Sequence, residues 1–160
     1  MVTLVNNPVM EKRESIRVFL IGNNPSDLSN IYDQITSIRK VKFITDYSFD
    51  FKNIISKISR FSPASILVDD NMEKNDLKIL FSTLCEHPKT RQIPITIIQN
   101  SNRDDMPREG ASGFILKQAI TSESLFNTIV NSLKSSGFKE YLNDSFAKRK
   151  KVFFEKYTLF

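Results

Sequence analysis

Two adjacent aspartates, Asp69 and Asp70, close the apolar run 65-SILVDDNMEKND-76, and they are the side chains best placed to do chemistry. A carboxylate delivered by a strand to the edge of a sheet can hold a cation or accept a group, but Asp is also a common turn residue after a strand. A matching positive charge is available in Lys117, which closes a second run, 113-GFILK-117. Brought within a few ångströms, that lysine would favour the ionised form of an aspartate. Two other runs end in amides: 16-IRVFLIG-22 leads into Asn23 and Asn24, and 93-IPITIIQ-99 into Asn100. Cys85 and His87 stand two apart and share no helix face, so they read as a small semi-buried residue and a polar helix end. One cysteine and one histidine exclude an internal disulfide, a thiolate cage and a histidine-rich metal site. No nucleophile–base pair, phosphate-binding loop or G-x-G-x-x-G motif occurs, and the chain is not read as an enzyme.

The elements that must position these residues follow from periodicity. Apart from Arg17, residues 16 to 22 form an apolar, β-rich run without alternation, which predicts a strand buried on both faces. Asn24 can cap a following helix with Pro25 at its first position, and Leu28, Ile31, Tyr32, Ile35 and Ile38 give its apolar stripe. Residues 41 to 47 alternate as a second strand, and Phe51, Ile54, Ile55 and Ile58 stripe a second helix that Pro63 stops. Ser65 to Asp69 form the third strand, and Leu77, Leu80, Phe81 and Leu84 mark the third helix. Ile93 to Gln99 and Gly113 to Lys117 are the fourth and fifth strands, and Leu125, Phe126, Ile129, Val130 and Leu133 mark a last helix. Strands alternating with helices imply a parallel sheet covered on both faces, with the functional crevice beyond the carboxyl ends of the strands. Gly22, Asn23, Asn24, Asp69, Asp70, Gln99, Asn100, Lys117 and Gln118 all arrive at that rim.

The 160 residues suit one such domain with extensions: 1 to 15 at the N-terminus, 16 to 136 as the folded unit, and 137 to 160 as a basic amphipathic tail. More than half of the net charge of +5 sits in that tail, where six basic residues face three acidic ones from Lys139 onward. The body is near neutral, which argues against a nucleic-acid face on the domain itself. Phe138, Leu142, Phe146, Phe153 and Tyr157 fall near helical spacing and would form a surface for a protein partner or a second copy. The cluster Lys148 to Lys151 leaves an anionic membrane or nucleic acid as a weaker alternative. There is no transmembrane run and no signal-peptide pattern, so a cytoplasmic protein is expected.

The motifs, taken in order, resemble the receiver domain of two-component response regulators, the CheY-like family. Asp69-Asp70-Asn71-Met72 resembles the acceptor turn D-x-x-M-P, 22-GNNPSDL-28 stands where receivers have D-D-x-P-x-D-L, and 110-GASGFILKQ-118 resembles G-A-x-x-[FY]-x-x-K-P. The stretch 88-PKTRQIPITII-98 resembles the P-x-T-R-x-I-P-V entry to the fourth strand. The resemblance implies a flavodoxin-like three-layer sandwich with a five-stranded parallel sheet in the order 2-1-3-4-5. It places Asp69 at the phosphoacceptor position and Lys117 at the lysine that contacts the phosphoryl group. It also implies departures. The metal-binding carboxylates after the first strand are Gly22 and Asn23, the hydroxyl and small residue ending the fourth strand are Gln99 and Asn100, and the two motif prolines are Glu73 and Gln118. Asp69 and the Asn71 carbonyl are then the weak remaining metal candidates. The interval from Gln99 to Gly110 is about one helical turn shorter than in the family, which implies a shortened or absent fourth helix.

The expected function is that of a divergent, receiver-like signalling domain acting by protein–protein interaction without a cofactor, in which Asp69 pairs with Lys117. The alternative is a working phosphorelay regulator that takes a phosphoryl group on Asp69, using Mg²⁺ and a sensor histidine kinase. A further alternative is an adaptor or nucleic-acid-associated regulator acting through the basic tail.

Overall fold

The apolar run that opens the domain becomes β1 (Ser15–Ile21), the second strand in from one edge of a five-stranded sheet. The computed structural model describes residues 15–100 and 110–135. After β1 come α1 (Pro25–Thr36), β2 (Lys42–Ser48), α2 (Ile54–Phe61), β3 (Ser65–Asp69), α3 (Lys74–Glu86), β4 (Ile95–Gln99), β5 (Gly113–Leu116), a 3₁₀ turn (Lys117–Ala119) and α4 (Ser122–Ser135). All strand pairs are parallel, in the order β2-β1-β3-β4-β5. The order expected from sequence is therefore the order found, and the layers are those of a three-layer α/β sandwich.

Strand alternation divides the interior into two cores. Val18 and Leu20 of β1, Leu67 of β3, Ile98 of β4 and Ile115 of β5 pack with Leu28, Ile31 and Ile35 of α1 and Leu125, Phe126 and Ile129 of α4. Phe19 and Ile21, Ile66 and Val68, and Ile95 and Ile97 point to the other face, against Ile58 of α2 and Leu77, Leu80 and Leu84 of α3. Because side chains alternate along a strand, Asp69 and Lys117, each two residues beyond Leu67 or Ile115, leave the sheet on the α1 side. That placement sets up the site.

Local chemistry fixes the joints. Asn24 caps α1, its Oδ1 accepting from the N–H groups of Ser26 (2.9 Å) and Asp27 (3.3 Å), with Pro25 at the start of the helix. Thr90 is fully buried, and its hydroxyl donates to the Leu84 carbonyl (2.7 Å). That bond satisfies one of the carbonyls that the end of α3 would otherwise leave unpaired.

Several boundaries differ from the sequence reading. Tyr32, placed on the α1 stripe, is 39% exposed, because it falls at the margin of the arc set by Leu28, Ile31 and Ile35. Ile93 is not part of β4: its N–H donates to Thr90 in the turn, and the Pro94 carbonyl is the first group there to accept from β3, from Ile66. Lys117 leaves β5 for the 3₁₀ turn, and Ser15 opens β1 although it was assigned to the N-terminal extension. The rest of that extension, the expected shortened fourth helix at 101–109 and the tail with Phe138, Leu142, Phe146, Phe153 and Tyr157 lie outside the described residues.

Candidate functional site

Asp69 ends β3 with its side chain 1% exposed. Its Oδ1 accepts from the main-chain N–H of Asn71 (3.0 Å) and from Lys117 Nζ (3.0 Å). Asp69 and Lys117 are thus brought together, and the turn after β3 is closed by the same oxygen. The other oxygen, Oδ2, is buried with no hydrogen-bond partner among the described residues.

The structure adds a residue that sequence reasoning passed over. Asp27, in the first turn of α1, places Oδ2 2.9 Å from Lys117 Nζ and accepts from the Asn71 side-chain amide at 3.2 Å. Lys117 is therefore held by two carboxylates, one from β3 and one from α1. In 22-GNNPSDL-28, Asp27 follows its cap Asn24 by three residues and precedes the buried Leu28, which places it in the first turn of α1 but does not show that it meets Lys117. The hydrogen bond from Lys117 holds the Asp27 carboxyl below the usual carboxylate range against the opposing effect of burial, and Asn71 adds to it. Burial works to lower the pKa of Lys117, but the hydrogen bonds and charges of Asp27 and Asp69 outweigh it and hold the ammonium above the ordinary lysine value.

The remaining rim residues divide between the two sides. Asp70 is fully buried, and its Oδ1 accepts from both the main-chain N–H and the side-chain amide of Asn100, each at 2.9 Å. The residue that the acceptor motif leaves variable here ties down the exit from β4. Gln99 is half-buried at the end of β4, in register with Leu116. Asn23, Asn24, Pro25, Asn71, Met72 and Glu73 line an open recess of about 540 Å³ beside the ring of charges. His87 ends α3, its Nδ1 accepting from the Lys89 N–H (3.1 Å), and burial pushes the half-buried Cys85 thiol up. Neither reaches the crevice chemistry.

Gly22 packs directly behind Asp69. A Cβ built there would fall 3.1 Å from the Asp69 Cβ and 3.1 Å from Leu28 Cδ2. The missing carboxylate at this position is accordingly also a missing volume. A magnesium ion needs hard oxygen donors in near-octahedral array. Gly22 and Asn23 provide no carboxylate, Asp69 Oδ1 is engaged by two donors, and an ammonium occupies the space between Asp27 and Asp69. This donor set does not fit the ion.

No known family profile matches the chain, and no curated protein does. Solved structures do. A receiver domain of a sensor histidine kinase from Pseudomonas aeruginosa PAO1, with magnesium coordinated in its active-site cleft, superposes with a TM-score of 0.64 at 15% identity, over 76% of this chain and 100% of that one. A response regulator from Desulfuromonas acetoxidans matches at 0.60 and 18% identity, over 74% and 97%. The chemotaxis protein CheY4 of Vibrio cholerae matches at 0.60 and 14%, over 72% and 97%. The fold is that of the CheY-like receiver domains of response regulators.

Proposed function

We propose that this chain is a divergent receiver-like signalling module that acts through protein–protein contact and does not use Mg²⁺-dependent phosphoryl transfer. The observation that carries the reading is Lys117, bound between Asp27 and Asp69 where the receiver resemblance implies a metal. Phosphoryl transfer depends on cations that neutralise charge developing on the equatorial oxygens. With Gly22 and Asn23 in place of carboxylates, the cation that meets Asp69 among the described residues is Lys117, and it is already shared by two anions. The crevice then serves as a fixed structural junction between α1, β3 and β5, and output passes through a surface that a protein partner or a second copy recognises. No residue is assigned a catalytic role, and no cofactor is required. No helix of the described residues is long and apolar enough to cross a membrane.

Intact-mass analysis after incubation with acetyl phosphate and Mg²⁺ tests this. The expected result is an unmodified chain. A phosphate adduct that disappears in Asp69→Ala would overturn the reading and make the chain a phosphorelay regulator served by a histidine kinase.

A further inference from the structure

The contacts of Lys117 close a ring. Its Nζ binds Asp27 Oδ2 (2.9 Å) and Asp69 Oδ1 (3.0 Å). Asn71 completes the circuit, donating its main-chain N–H to that same Asp69 oxygen and its side-chain amide to that same Asp27 oxygen. Three separate parts of the fold meet there: the first turn of α1, the turn after β3 and the turn after β5. Two carboxylates in one crevice disfavour each other's ionisation unless a positive charge lies between them. The ammonium supplies that charge. Asp69 Oδ2, buried and without a hydrogen-bond partner among the described residues, shows that the lysine does not use all the acceptor capacity of the pair.

We infer that Lys117 is a built-in counter-cation, seated where a free divalent cation would bridge Asp27 and Asp69, and that it keeps the crevice metal-free. The inference rests on the metal-independent reading above. Both oxygens are aimed at one point, and to ligate magnesium each would draw inward by about 0.9 Å from its distance to the ammonium. Asp27 has room to do so, with its side chain 25% exposed on a helix end. The ammonium prevents the exchange because it is attached to the chain and never diffuses away, and because a metal arriving beside it meets like charge. Without it, two anions share a half-buried site, which is the condition under which a hard cation is taken up. Asp27, outside the usual metal-binding positions, is on this account the second ligand of a latent site.

Manganese titration followed by water-proton relaxation, with magnesium calorimetry beside it, tests the inference on the full chain. The wild type, Lys117→Met and Lys117→Met/Asp27→Asn are compared. Lys117→Met is expected to bind the metal at least roughly tenfold more tightly than the wild type, and the double variant is expected to return to the wild-type level. A silent Lys117→Met, or a gain that survives the loss of Asp27, overturns the inference. If Lys117→Met does not fold in metal-free buffer, Lys117→Gln replaces it and circular dichroism becomes the readout. Folding on addition of Mn²⁺ then supports the latent site, and a chain still unfolded at saturating Mn²⁺ refutes it. A wild type that itself binds Mg²⁺ and is phosphorylated on Asp69 would remove the preceding reading. A wild type and a Lys117→Met variant that are both silent would remove this inference alone.

Discussion

Gly110 shows how a single backbone position can be fixed by two independent constraints. Its φ is +88°, and a Cβ built on it would lie 2.6 Å from the Cys85 Sγ, closer than atoms of these types approach. An alanine there must carry a left-handed backbone and displace the thiol. Gly110→Ala is expected to destabilise the protein by about 1–3 kcal/mol, measured as a shift in the urea midpoint. The second substitution Cys85→Ala should recover the steric part of the loss but not the backbone part, so the pair is non-additive. Additive losses would mean that the thiol does not press on this turn. Gly22 is less constrained, since its neighbours need give only a few tenths of an ångström. Of the two vacant carboxylate positions, the exposed Asn23 is therefore the easier one to convert to aspartate without strain.

At the scale of elements, α2 is the least regular helix. It has eight residues and is bounded by two non-glycine residues in the left-handed region, Asn53 (φ 58°) and Ser62 (φ 53°). The N–H of Ser62 donates to the Ile58 carbonyl, so Ser62 takes the terminating position where glycine is preferred. Ser62→Gly should relieve a backbone cost of about 1 kcal/mol and lose an exposed hydroxyl bond to the Ser59 carbonyl worth about 0.5 kcal/mol. A small net gain in thermal midpoint is expected, and a fall would show that the hydroxyl matters more than the backbone. The other elements were legible for simple reasons. Residues 18–21 and 66–68 are apolar and buried on both faces because they lie inside the sheet, whereas the more polar 42–48 lies at its edge. Arg17, at the start of β1, is exposed, so the burial expected from residue 16 onward is continuous only from Val18. The stripe from Leu125 to Leu133 is buried at every position read from sequence. Boundaries were harder to place, because Ile93 and Lys117 are apolar or stem-like enough to continue a strand and only hydrogen bonding shows that they do not.

Across the whole molecule, the pairing of Asp69 with Lys117 could be read from strand ends and the receiver resemblance, but Asp27 could not, because nothing local shows that the first turn of α1 faces a lysine ninety residues away. That long-range contact also makes a pH test of the fold. The folded pKa of Asp27 is lowered, chiefly by the hydrogen bond from Lys117, so the folded state releases its proton more readily than the unfolded chain does. The sign follows from linkage. The stabilisation is fully present above the unfolded carboxylate value of about 3.9 and is lost as the pH falls through the lower folded value. Lys117 has the opposite limb: its raised pKa contributes stability below the ordinary lysine value, and that contribution is lost as the pH rises through the folded value. Asp27→Asn should therefore be less stable than the wild type at neutral pH, and the difference should shrink as the solution is acidified below about pH 4. Urea unfolding of both proteins at neutral pH and at several acidic values measures it. Salt should change the difference little, because the lysine is only 23% exposed and the pair is in direct contact. A gap that stays constant down to the acid transition would mean that Asp27 contributes packing at this end of α1 and no charge. The three elements joined by Lys117 would then be held together by their cores alone.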